Sequence, residues 1–221
     1  MSIQLRGILA GLLVALSVAG VDAADGDWID LMPGPNLKGW QRVPIAPDVK
    51  LTARNAWKLD ETGKVLLCDG VDVKEMLLHD KDLGNGTFHV EWRFRKLKGT
   101  PDYNSGVYLR TSPDGMIWHQ VQVAHVPKPP HAGDLFGVTQ VNGKADKFLV
   151  KGRGVSLIKP PGEWNVYDIT CDGPKVTVNV NGKLATTWNE CQVRKGRVGL
   201  QAEFYFIEFK NIKFQAARRR E

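Results

Sequence analysis

From residue 24 onward the chain repeats one pattern, short runs in which every second residue is apolar. A β-strand sends successive side chains to opposite faces, so such runs fold as half-buried strands. A helix needs apolar positions recurring every 3.6 residues, and hardly any window of this chain sustains that period. Residues 87–95 set Phe88, Val90, Trp92 and Phe94 against His89, Glu91, Arg93 and Arg95. Residues 106–111, 118–125, 164–171, 175–180 and 197–203 alternate in the same way. Asn181-Gly182 closes one run with the strongest short hairpin signal and predicts a return strand over 184–188. A last strand over 207–214 shifts its alternation near Asn211, which predicts a bulge. Many antiparallel strands at short spacing, with no strand–helix–strand rhythm and no repeat, predict an all-β antiparallel sandwich. The segment 126–162, rich in Pro, Gly and Lys, reads as a long surface excursion.

A hydrophobic content of 43% in 221 residues is enough for one sizeable core, and 23 Gly with 12 Pro suit many turns. The formal charge of +6 falls to +4 once Arg218, Arg219, Arg220 and Glu221 are set aside as a basic tail. The remaining cations are scattered among acids, so nucleic acid is not an expected partner. Met1–Ala23 has the form of a secretory signal peptide. Arg6 precedes an uncharged apolar run over 7–21, and Val21-Asp22-Ala23 offers small residues at a cleavage site. The run is shorter than the ~20 residues a bilayer span needs. A soluble, exported protein is expected, periplasmic or extracellular, with a single domain over 24–217. Cys68, Cys171 and Cys191 are an odd set without zinc-site spacing, and a Cys171–Cys191 bridge is compatible with an oxidising compartment.

On the polar sides of these strands lie Glu91, Arg93, Tyr108, Arg110, Gln120, Gln122, Gln201 and Glu203. Antiparallel sheets commonly keep one wet face. This set, however, is rich in planar groups, each offering paired donors or acceptors in a fixed plane, as sugar hydroxyls require. Trp118 and Trp164 are candidate stacking surfaces for a sugar ring. Laid side by side, the strands predict a carbohydrate site on one sheet face.

These residues also carry a resemblance. Asp27-Trp28 through Leu37-Lys38-Gly39-Trp40, Val90-Glu91-Trp92-Arg93 and Asn104-Ser105-Gly106-Val107-Tyr108-Leu109-Arg110 resemble, in order, the motifs of the 3-keto-disaccharide hydrolase family. Gly162-Glu163-Trp164-Asn165, Asn181-Gly182-Lys183, Gly199-Leu200-Gln201 and Phe209-Lys210-Asn211-Ile212 complete the series. The resemblance implies a concanavalin-like jelly roll and cleavage of 3-keto-glycosides by removal of the C2 proton, elimination at C1 and hydration. Carried over residue by residue, it makes Glu91 and Glu203 the carboxylate candidates and Arg110 the enolate stabiliser. Asn104, Tyr108, Gln120, Gln122, Gln201, Trp118 and His125 would contact substrate. The family commonly carries two carboxylates on the strand that here reads Gln120, Gln122 and Ala124. An amide takes no proton at neutral pH and alanine ligates nothing, so a divalent metal, though a candidate cofactor, finds no ligand spacing here. His119 and His125, on the side of Val121 and Val123, and His131 with Asp134 on the long loop are further candidates for a replacement base. Three alternatives stay open: a non-catalytic carbohydrate-binding module, a two-carboxylate glycosidase and an adhesive extracellular protein.

Overall fold

The computed structural model describes residues 26–45, 49–99, 102–126 and 128–218. The expected signal peptide and the last residues of the basic tail lie outside them. Strands are numbered in chain order. One sheet runs β13 (Lys183–Trp188), β12 (Lys175–Val180), β11 (Asn165–Asp172), β6 (Gly86–Phe94), β15 (Phe206–Ala216), β4 (Val65–Asp69) and β3 (Trp57–Leu59), and β1 (Trp28–Asp30) pairs onto β15. The other runs β10 (Lys144–Val150), β9 (Leu135–Val141), β8 (Trp118–His125), β7 (Tyr103–Thr111), β14 (Arg197–Glu203), β5 (Lys74–His79) and β2 (Trp40–Pro44). Every pairing is antiparallel. The fold is the expected jelly-roll sandwich.

The apolar sides of the alternating strands meet between the sheets. Phe88, Val90, Trp92 and Phe94 of β6 share one core with Val107, Leu109, Val121, Val123, Leu135 and Leu200 of the second sheet. Each such side chain contributes roughly 1.5–3 kcal/mol on burial. Tyr167 of β11 crosses this layer and donates its hydroxyl to the backbone oxygen of Gln122 at 2.8 Å. That bond, together with Gln122 N–H to the Asp134 oxygen at 2.8 Å, anchors β8 from beneath. Among the described residues, no helix is long and apolar enough to cross a membrane.

Two expectations change. The segment 126–162 is not a bare excursion, because it holds the β9–β10 hairpin. Asn142 and Gly143 form its turn with φ of 51° and 77°, the left-handed pair that a two-residue hairpin needs. The cysteines form no bridge: Cys68, Cys171 and Cys191 are all buried and free. Burial pushes the Cys171 thiol up to about 12. The bulge expected near Asn211 is present. Asn211 has φ 49°, and the β15–β6 register shifts between Lys210 and Lys213.

Candidate functional site

The outer face of the second sheet carries a cleft of about 370 Å³. Alternation on β7, β8 and β14 turns Asn104, Tyr108, Trp118, Gln120, Gln122, Gln201 and Glu203 into it. Ile45, Met76 and Phe136 extend the lining, and Val126, Lys128, Pro129 and Pro130 wall it from the loop that follows β8. Gly106 lies between these side chains. A Cβ there would meet the Gln120 side chain at 2.4 Å, so the glycine makes room for the amide to lie over β7.

The polar groups are joined by hydrogen bonds that converge on one carboxylate. Gln120 Nε2 donates to Gln122 Oε1 at 2.8 Å and to Gln201 Oε1 at 3.2 Å. Gln122 Nε2 donates to Asn104 Oδ1 at 2.8 Å. Asn104 Nδ2 at 2.7 Å and Gln201 Nε2 at 3.1 Å both donate to Glu203 Oε2. Gln120, Gln122 and Gln201 are buried, where unpaired amides would be costly, so this mutual satisfaction fixes their orientation. Glu203 Oε1 takes no bond from the described residues and remains open to a ligand. Burial, with Glu203 adding to it, holds the Tyr108 hydroxyl proton well above the usual phenol range. Tyr108, Trp118 and Phe136 form an edge-to-face row, with ring centroids 6.2 and 5.7 Å apart.

The other candidates sit elsewhere. Glu91 alternates outward as expected, but β6 belongs to the opposite sheet. There Asn211 Nδ2 donates to Glu91 Oε1 at 2.6 Å, and Lys210 Nζ pairs with its Oε2 at 3.3 Å. Arg93 shares that outer face, paired with Glu208, and Trp164 lies against Arg93 and Lys210 rather than in the cleft.

Arg110 is turned out of its expected face by a left-handed backbone, φ 46°, where the β14–β7 register shifts. Its guanidinium enters the end of the sandwich instead. Nη1 donates to the Gly173 and Val193 oxygens, each at 2.8 Å, and Nη2 to Asn85 Oδ1 at 3.1 Å. Gly196 packs on the Arg110 backbone where a Cβ would meet it at 2.5 Å.

His125 is exposed and edges against Tyr103, outside the cleft lining. His119 is buried in the core beside Phe148 and Trp188. Asp134 folds back onto the backbone N–H groups of His131 and Gly152. Sequence reasoning missed Ile45, Met76 and Phe136. The Asn142-Gly143 turn signal would have revealed β9 and, through its alternation, Phe136.

The cleft's donor set does not suit a divalent metal. Hard cations need several convergent oxygens, but among the described residues Glu203 is the one carboxylate lining the cleft, and the Asn104, Gln122 and Gln201 amide oxygens already accept neighbouring N–H groups. Among the described residues no three His, Cys, Asp or Glu side chains cluster at metal-binding spacing.

Residues 27–215 match the profile of the 3-keto-alpha-glucoside-1,2-lyase-like domain. The chain belongs to this family. Among solved structures it resembles a candidate glycosyl hydrolase from Parabacteroides distasonis, with 22% identity over 86% of this chain and 99% of the other at a TM-score of 0.58. It also resembles a carbohydrate-binding module from Bacillus subtilis, at 14% identity over 80% and 96% with a TM-score of 0.55. The Bacillus licheniformis beta-glucanase aligns at 15% identity over 87% and 98% with a TM-score of 0.52. These likenesses establish a shared sandwich fold. No curated protein sequence matches the chain.

Proposed function

We propose that this family member is an exported enzyme that cleaves glycosides oxidised to a ketone at C3, with Glu203 as the base. The observation that carries the reading is the Glu203 carboxylate, gripped on Oε2 by two amides and open on Oε1, inside a cleft walled by aromatic rings. A C3 ketone acidifies the C2 proton. Glu203 Oε1 takes that proton, the C2–H electrons form the C1–C2 double bond, and the C1–O bond breaks with its electron pair leaving on oxygen. Water then adds to the unsaturated sugar to complete a net hydrolysis.

Arg110 and Glu91 lie away from the cleft, and Tyr108 stands four residues along β7 from Asn104, so the donors at hand for the enolate oxygen beside Glu203 are the second N–H groups of Asn104 Nδ2 and Gln201 Nε2. Asn104, Gln122 and Gln201 orient sugar hydroxyls. Export rests on the signal-peptide pattern of residues 1–23.

A second reading, a binding module on the same frame, is favoured by the neutral amides where the resemblance implies carboxylates. Incubation of residues 24–221 with a 3-keto-disaccharide and its unoxidised parent, followed by mass spectrometry, separates the two. Cleavage of the keto sugar alone supports the enzyme; intact substrate in both arms, with divalent metals added, leaves the binding module.

A further inference from the structure

The cleft is chemically two-sided, and we infer that the leaving group it takes is an apolar aromatic aglycone rather than a second sugar. This rests on the reading that Glu203 removes a C2 proton. The amides and the carboxylate gather toward one end of β7, β8 and β14, where Asn104 stands opposite Ala124 and Gly106 opposite Gln122. Four residues along β7, roughly 13 Å at strand spacing, Tyr108 stands opposite Gln120, and Gln120 opposite Phe136. The Gln120 head group reaches back to the polar end, to Gln122 and Gln201, and leaves this region to the rings.

The rest of the lining is Ile45, Met76, Trp118, Val126, Phe136, Pro129 and Pro130, with Lys128 the one charged side chain among them. A second pyranose would bring several hydroxyls to a wall whose polar side chains are few, chiefly Tyr108 and Lys128, so most of those hydroxyls would lose their water without gaining partners. An aromatic ring gains there instead, burying apolar area and meeting Trp118 and Phe136 edge or face. The volume of about 370 Å³ lies near the small end of ligand sites and holds a short, two-ring ligand.

The acid inventory points the same way. Among the described residues Glu203 is the one carboxylate lining the cleft, and it is committed as the base. The Tyr108 phenol, held well above its usual range, is a poor proton source. A leaving oxygen here must therefore depart without a strong acid beside it. A phenolic oxygen does so, since a phenol ionises near pH 10, far more readily than a sugar hydroxyl. When C1–O breaks, the electron pair resides on that oxygen as phenolate, which then takes a proton from water. Lys128, the one cation among the lining residues, offsets its charge in transit. The C2 proton on Glu203 returns to solvent, and the sugar is left as the unsaturated ketone.

The test compares a phenyl 3-keto-glucoside with a 3-keto-disaccharide for kcat/KM, and their unoxidised parents for calorimetric Kd. Discrimination by one apolar contact spans about 10–200-fold, so phenyl should be preferred at least tenfold in kcat/KM and also in Kd. Phe136→Asn, at a half-buried position, should cut kcat/KM for the phenyl substrate about tenfold and for the disaccharide under threefold. Ile45→Asn repeats the test at an independent position. A disaccharide used as well as or better than the phenyl substrate overturns the inference. Should neither be cleaved, the enzyme reading falls while binding still decides this one. Tighter binding of phenyl glucoside upholds the apolar subsite; equal, reversed or absent binding overturns it.

Discussion

Replacing Arg110 by Met distinguishes the two places this residue could work. In the cleft it would stabilise an enolate, and its loss would lower turnover without unfolding anything. In the structure its side chain is 2% exposed and holds Gly173, Val193 and Asn85 together at the end of the sandwich. Methionine keeps much of the aliphatic stem but donates nothing. The Gly173 and Val193 oxygens would lose their partner and Asn85 Oδ1 one of its two, at about 1–3 kcal/mol apiece. Against this, the variant no longer buries a cation, which returns several kcal/mol. The net loss expected is about 2–4 kcal/mol. For a domain of this size each kcal/mol moves Tm by about 2–4 °C, so the midpoint should fall by roughly 4–16 °C. Thermal unfolding by circular dichroism reads the shift, and sugar affinity measured well below the midpoint should stay within about threefold. An unchanged Tm with lost sugar binding or turnover would refute the structural role and return Arg110 to the site.

Glu203→Gln keeps an acceptor for Asn104 and Gln201 but removes the proposed base, so kcat on a 3-keto-glycoside should drop by about 10²–10⁴-fold; turnover within threefold of the parent would remove Glu203 from the chemistry. His119 donates Nδ1–H to the Leu109 oxygen and accepts from Thr139, and burial lowers its pKa to about 4. The unfolded chain binds this proton near 6.5 and the folded one only near 4, so this contribution is full above pH 6.5 and falls by about 3 kcal/mol as pH drops to 4. Urea unfolding of the parent and His119→Gln at pH 7 and pH 4.5 checks this, and equal pH sensitivity in both would defeat it. With Cys171 raised to about 12, a thiol reagent at pH 8 should label none of the three cysteines in the folded protein and all of them in urea; stoichiometric labelling of the native protein would contradict the burial.

Much of this architecture is written in local alternation. The β8, β12 and β14 runs are bounded by the residues the alternation marks, and the Asn211 bulge and the Asn181-Gly182 turn have their own backbone chemistry. The amides of the cleft were legible because an inward strand residue forces its neighbour outward. What alternation cannot carry is which of two outer faces a side chain joins. Glu91 and Gln120 obey the same rule, yet β6 and β8 lie in opposite sheets, and sheet membership follows from long-range pairing. Arg110 failed for a local reason, since one left-handed residue shifts the register and redirects the side chain. Met76 and Phe136 escaped because an apolar residue in a strand does not itself say which of the two faces it joins, and β9 was not read from the Asn142-Gly143 turn.

The neutral residues at positions 120 and 124, where the family resemblance implies carboxylates, have an electrostatic logic in the hydrogen-bond chain. Both branches begin at Gln120 Nε2, pass through Gln122 and Asn104 or through Gln201, and end on Glu203 Oε2. Every amide N–H along them points toward Glu203. Such aligned dipoles reinforce one another in a site shielded from water. A carboxylate at 120 could only accept, so both branches would lose their origin, and a second negative charge would share the cleft with Glu203. Neutral amides therefore suit a site built around one carboxylate, steadied on one oxygen and free on the other. A single proton acceptor is also the inventory expected when the departing group needs little acid help. The amide chain and the apolar wall are thus compatible with the same substrate: a polar ketone-bearing sugar at one end and a ring that leaves readily at the other.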